Sequence, residues 1–174
     1  MDYENVLSSA FEFRDIRPEE AGQAAEIEQI CFPPNEACTA KMMNERIKTA
    51  PEQFLVAADK TTGKIAGFLN GLVTDEYIFQ DKFFCDASLH NPKGENIMLV
   101  GLDVLPEYRG PGLASAIVAR YMSREKARGR KLAILTCLES KVKMYEKMGF
   151  YSHGLADSSW GGEQWYEMIY MIND

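Results

Sequence analysis

Apolar positions recur along this chain with two different periods, and the switches between them mark out its elements. FEFRDIR, Phe11 to Arg17, alternates with period two and predicts a short opening strand. Pro18 suits a first helical turn, and Glu19 and Glu20 suit its electropositive end. A helix is therefore predicted to Ile30, with Ala24, Ile27 and Ile30 or Cys31 turned inward. The two prolines of FPPN cannot continue it. A second helix is predicted after Thr39, a good N-cap, ending before Pro51.

QFLVAADKTTGKIAGFLNGLV predicts a hairpin whose polar turn contains Gly63. Thr74 to Glu95 is long and mixed; its aromatic residues Tyr77, Phe79, Phe83 and Phe84 either line a pocket or pack a short helix onto the body, and packing is the simpler reading. NIMLVGLDVL is apolar almost throughout, as a central strand should be. A turn rich in glycine and proline follows, then a long helix, the strand KLAILTCL, the short helix SKVKMYEKMG, and strands around Phe150–Leu155 and Gln164–Ile172. The order β-α-α-β-β-β-α-β-α-β-β carries no internal repeat and no linker. It predicts a single domain over residues 1–174, a mixed sheet covered by helices, of the α/β class (α+β where the antiparallel hairpin is given more weight).

Composition narrows the function. With 46% apolar and 26% charged residues in 174, the chain reads as an ordinary soluble domain. No apolar run approaches bilayer length, and MDYENVLSSAFEF lacks a signal-peptide layout, so the expected location is cytoplasmic with no membrane partner. Cys31, Cys38, Cys85 and Cys137 are scattered, with only two histidines beside them, which argues against a metal site and against a disulfide framework. A net charge of −7 disfavours nucleic acid as a partner. The charge is uneven, however: Arg109, Arg120, Arg124, Lys126, Arg128, Arg130 and Lys131 face a single acid, Glu125, between Arg109 and Lys131. That asymmetry suits an anionic ligand near one helix, although a solvated helix face explains the outer residues as well.

The turn YRGPGLA sits where the long helix must begin. A helix N-terminus offers unpaired amides and partial positive charge, and glycines let a phosphate oxygen approach them. Arg109, Gly110, Gly112, Leu113 and Ala114 are the expected donors; Pro111 has no N–H and contributes shape only. The spacing is neither a P-loop nor G-x-G-x-x-G.

Two marks in order, Arg109-x-x-Gly112-x-Ala114 and then Tyr145-Glu146-x-x-Gly149-Phe150, separated by the strand AILTCL, resemble the GNAT superfamily of N-acetyltransferases. The motif region spans about residues 96–151, and EFRDIRPEEAGQAAEIEQICF with the spacing from Cys137 to Tyr145 is similar to the arylalkylamine N-acetyltransferase group. The resemblance implies a GNAT-like, largely antiparallel sheet of six to seven strands flanked by about four helices. It also implies acetyl-CoA as cosubstrate and a primary amine as acceptor, an arylalkylamine or a polyamine, attacking directly in a ternary complex. Leu102, Asp103 and Val104 would offer backbone groups to the pantetheine arm, and the amides from Arg109 to Ala114 would hold the pyrophosphate. The group's paired histidines have no counterpart, since Met98 and Val100 stand at the matching positions.

Two protons must move. An alkylammonium has a pKa of about 10 and a thiol leaving group one of about 8.5, so a base and an acid both help. Tyr145 aligns with the family's catalytic tyrosine and is the expected general acid. Glu36, in the break FPPNEAC beside the acceptor site of this fold, is the candidate general base; Glu28 and Asp103 are its rivals. Cys137 lacks a nearby histidine in sequence and reads as a packing residue. Acetylation of a peptide, or binding of acyl-CoA by a non-catalytic sensor of the same fold, fits the same residues. Monomer and homodimer stay open.

Overall fold

The computed structural model describes residues 3–174, and seven of its strands form one sheet. They are β1 (Phe11–Asp15), β2 (Phe54–Asp59), β3 (Ile65–Thr74), β4 (Asn96–Val104), β5 (Leu132–Cys137), β6 (Tyr151–Leu155) and β7 (Tyr166–Met171). Their spatial order is β1-β2-β3-β4-β5-β7-β6. Among the described residues only β4 and β5 pair in parallel. Among the described residues six helices flank the sheet: α1 (Tyr3–Ala10), α2 (Ala21–Cys31), α3 (Ala40–Thr49), α4 (Lys82–Cys85), α5 (Leu113–Ala127) and α6 (Glu139–Lys147). The expected α/β class and mixed sheet hold, with two helices beyond the four that the pattern suggests.

β3 is buried along its whole length, so both faces of the sheet need cover. On one face α5 buries Leu113, Ile117, Val118 and Tyr121 against Leu69, Val73, Ile97 and Leu135. On the other, α2 and α3 bury Ala24, Ile27, Met43 and Ile47 against Val56 and Phe68. Local chemistry explains the boundaries. Thr39 Oγ1 accepts the Met42 amide at 3.1 Å and caps α3, and Pro51 follows its end. Ahead of α2, Pro18–Glu20 forms one 3-10 turn in which Glu20 accepts the Arg17 amide at 2.9 Å. The opening strand is shorter than its alternation suggests: β1 ends at Asp15, and the Ile16 amide already donates to Phe54 O at 2.9 Å.

The basic run resolves differently from its sequence reading. Glu125, on α5, is fully buried, and Arg128 donates to it at 2.7 Å. Arg130 and Arg124 lie 3.4 and 3.5 Å from its carboxylate, and Gln53 donates to both oxygens at 3.4 Å. Arg120 stacks over Phe13 at 4.1 Å, and Lys131 pairs with Glu95 at 2.9 Å. Arg124, Arg128 and Arg130 surround the buried acid while Arg120 and Lys131 are engaged elsewhere, so the charge asymmetry by itself is no sign of an anionic ligand here. Glu125→Ala should lower unfolding free energy by about 2 kcal/mol, below the usual cost of breaking a buried pair because the freed arginines can rehydrate. Urea denaturation that shows a loss under about 0.5 kcal/mol would remove the network from the stability account.

Candidate active site

The site begins where β4 leaves β5. Their pairing covers Asn96↔Leu132, Ile97↔Ala133 and Met98↔Ile134. On the other edge of β4, the register with β3 jumps from Asn70↔Gly101 to Gly71↔Leu99, which leaves Val100 as a bulge. A bulge bends its strand and sharpens the twist. Past Met98 and Ile134 the two strands accordingly diverge, and a cavity of about 550 Å³ opens between Leu99–Val104 on one side and Leu135–Leu138 on the other.

The predicted cofactor turn lies at one end. Gly110, Gly112, Leu113 and Ala114 line the cavity, and among the described residues none of these amides has a backbone acceptor. The first amide bonded in α5 is that of Ala116, to Gly112 O at 3.0 Å. Ser115, not singled out from sequence, adds a further free amide to this turn. Gly112 has φ of +83°, a left-handed conformation that L side chains resist, and a Cβ there would stand 3.0 Å from the Tyr3 ring. The cradle therefore fits an anionic group held by backbone donors.

Three of the expected positions stand apart from the free amides of this turn. Arg109 lines the cavity, but its amide is already used on Pro106 O at 3.2 Å, while its Nε donates to Val104 O at 2.8 Å and ties the turn to β4. Pro111 is exposed and does not face the cavity. Asp103 does not face it either: alternation along β4 sends Leu102 and Val104 toward α5 and turns Asp103, fully buried, toward α2. Of the positions matching the paired histidines, Met98 is buried in the core and Val100 reaches the cavity wall.

Tyr145, on α6, is half-buried, sets its ring edge-on to Phe150 at 5.4 Å, and lines the cavity beside Cys137. Burial, then Cys137 and Asp103, push its phenol well above the ordinary value, so it keeps its proton at neutral pH. Burial pushes the Cys137 thiol up to about 11. Neither histidine activates it: His90 accepts the Val73 amide at 3.0 Å and contacts Glu52 at 2.8 Å, and His153 contacts Glu167 at 2.9 Å. Cys137 is a packing residue with its proton on.

The far end is aromatic and acidic. Phe32, Glu36 and Phe84 line it, together with Trp160 and Trp165 from the β6–β7 connection. Trp160 Nε1 donates to Glu36 O at 2.8 Å, Asn35 donates to Gly161 O at 3.0 Å, and the rings of Phe84 and Trp160 lie 4.8 Å apart. Two loops distant in sequence thus close one wall. The glutamate expected as base, Glu36, is half-buried there, and burial followed by Glu163 raises its carboxyl. The Thr74–Glu95 connection divides: Phe79 and Phe83 pack into the core, Tyr77 faces solvent, and Phe84 alone of the four reaches the cavity. The tryptophans escaped the sequence reading, although SSWGGEQW sets two large aromatics in a polar, glycine-rich loop, a signal for function.

Residues 21–150 match the profile of the Acetyltransferase (GNAT) family. The serotonin N-acetyltransferase of Mesocricetus auratus is 28% identical over 150 residues, covering 83% of this chain and 70% of that protein. The GphF GNAT-like decarboxylase, solved with isobutyryl-CoA, superposes with a TM-score of 0.79 at 16% identity, over 93% of this chain and 100% of that one. yncA from Salmonella typhimurium, solved with its cofactor acetyl-CoA, superposes with a TM-score of 0.64 at 13% identity, over 94% and 95%. No helix among the described residues is long and apolar enough to cross a membrane.

Proposed function

The chain belongs to the GNAT acetyltransferase family and takes acetyl-CoA as its acyl donor, and from that premise we propose that it acetylates a small primary amine in a ternary complex. The observation that carries this reading is the continuity of one cavity from the free amides at the head of α5, past Tyr145, to the end lined by Glu36, Phe84 and Trp160. The amides of Gly110 and Gly112 to Ser115 hold the pyrophosphate, and the backbone of Leu102 to Val104 aligns the pantetheine arm, with Arg109 keeping the turn against β4. Tyr145 donates a proton to the departing sulfur. The carboxylates that line the cavity draw the ammonium in, and one of them takes its proton; Glu36 is the one that the sequence nominates. Phe32, Phe84, Trp160 and Trp165 cover an apolar or aromatic tail, which makes arylalkylamines the favoured class, in line with the serotonin N-acetyltransferase likeness.

A panel of arylalkylamines, polyamines, amino acids and short peptides, assayed with acetyl-CoA by release of free thiol, tests the reading. Arylalkylamines should be acetylated with the highest kcat/KM. Acetylation of peptides alone would overturn the small-amine assignment. Binding of acetyl-CoA with no turnover across the panel would leave a sensor in place of an enzyme.

A further inference from the structure

A second pair of acids lies on the face of β4 turned toward α2, with Glu28 at the cavity wall and Asp103 behind it. Glu28, on α2, is 3% exposed and Asp103, on β4, is fully buried. Both converge on Gly101, one residue past the Val100 bulge: a Cβ at that position would lie 3.2 Å from Asp103 Oδ1, 3.6 Å from Glu28 Oε2 and 3.0 Å from Asn70 Nδ2. A side chain at 101 would fill the space that these groups share. Glu28 Oε1 accepts the Cys38 amide at 3.2 Å, and Asn70 Nδ2 donates to Gly101 O at 3.2 Å. Glu28 Oε2 and both Asp103 oxygens are buried without a donor from any other group. Facing carboxyls can satisfy one another only when one of them holds a proton.

The surrounding charges fit that state. Arg46, on α3, is 3% exposed, with Nη2 donating to Phe84 O at 2.9 Å and with Nε and Nη1 unpartnered. One guanidinium, one carboxylate and one carboxylic acid make a neutral buried cluster. Burial and then Glu28 raise the Asp103 carboxyl well above its ordinary value, which identifies Asp103 as the holder of the proton. The other titratable groups at the pair are thiols: Cys31, on α2 itself, and Cys38, ahead of α3, are both raised chiefly by burial, Cys38 to about 12. Glu28, Arg46 and Gly101 line the cavity, and Asp103 stands behind them, close enough to bias Tyr145. Glu36, by contrast, sits beside Glu163 and Trp160 at the far end.

We propose that Glu28, backed by Asp103 across Gly101, is the base that takes the proton from the attacking ammonium, and that Glu36 only guides the cation in. This rests on the amine reading of the acceptor. The balance is simple. The ammonium gives one proton to Glu28; the amine's lone pair then forms the C–N bond as C–S breaks. The sulfur leaves with the electron pair and takes the Tyr145 proton, and the tyrosinate recovers the second proton from nitrogen. Glu28 returns its proton to water. Glu28 is thus a catalytic residue and Asp103 a positioning residue.

The test is the pH profile of kcat for an amine that the wild type acetylates, measured on the whole chain for E28Q, D103N and E36Q. Gln at 28 keeps the acceptor for the Cys38 amide, and unchanged acetyl-CoA affinity certifies each fold. E28Q should lose about thirtyfold in kcat at neutral pH, with the deficit shrinking as pH rises toward the amine's own pKa. D103N, which replaces the carboxylic O–H facing Glu28 with a weaker amide N–H donor, should shift the acidic limb to higher pH, a movement that a merely structural residue would not produce. E36Q should raise KM for the amine and leave the limb in place. An E28Q profile that overlays the wild type, or a limb lost in E36Q and kept in E28Q, would overturn the assignment while leaving amine acetylation standing. A wild type that acetylates no amine would overturn both.

Discussion

Tyr145→Phe should slow amine acetylation by about 10²-fold or more while acetyl-CoA affinity stays within about twofold of wild type. The expectation follows from the chemistry of the leaving group. A thiolate departs faster when a donor stands ready, and a phenol raised by burial and by Cys137 and Asp103 holds its proton throughout the working range. Phenylalanine keeps the edge-on packing against Phe150 and the α6 backbone, so only the hydroxyl is lost. Tyr145 faces the cavity, so the packing of its ring on Phe150 survives the change. Single-turnover kinetics separate the outcomes. A folded variant with near-normal turnover would reduce Tyr145 to a packing group, and a matching loss of acetyl-CoA affinity would make it a binding residue.

Gly112→Val should weaken CoA by about 10²-fold and leave the fold intact. Two effects combine. At φ of +83° a β-branched residue is strained by about 1–3 kcal/mol, so the turn must change shape and re-aim its free amides. Valine would also fill the approach to those amides, its Cβ already 3.0 Å from the Tyr3 ring. Helix α5 should survive, because Leu113, Ile117, Val118 and Tyr121 anchor it in the core behind the turn. Calorimetric titration of CoA into the variant reads the effect. Unchanged affinity in a folded Gly112→Val protein would move the pyrophosphate away from this turn.

Much of the architecture was legible before the structure. Two periods of hydrophobicity place the hairpin of β2 and β3, the central β4 and the helices α2, α3, α5 and α6 within a few residues. Thr39 and Pro51 mark the ends of α3 through chemistry that acts over one turn. What escaped has a physical reason in each case. α1 turns only Leu7 into the core, so eight residues carry no periodic signal. The basic residues of α5 look like a ligand site until Glu125 is seen to be buried among them. Asp103 sits within an apolar run whose two faces cannot be told apart from sequence, and alternation turns it to the side away from Leu102 and Val104.

By itself the sequence determined the order and kind of the elements, the glycine turn that frees amides at the head of α5, and the tyrosine that follows β5. Those features depend on torsional preference and periodicity, which act over a few neighbouring residues. The tertiary structure alone decided which residues share the cavity. The Val100 bulge parts β4 from β5, the loop carrying Trp160 closes on the loop carrying Glu36, and Gly101 leaves room for Glu28 to meet Asp103. Each of these joins segments far apart in the chain, where no local preference of either partner specifies the other. Pairing register and packing do that, and they exist only once the sheet has formed.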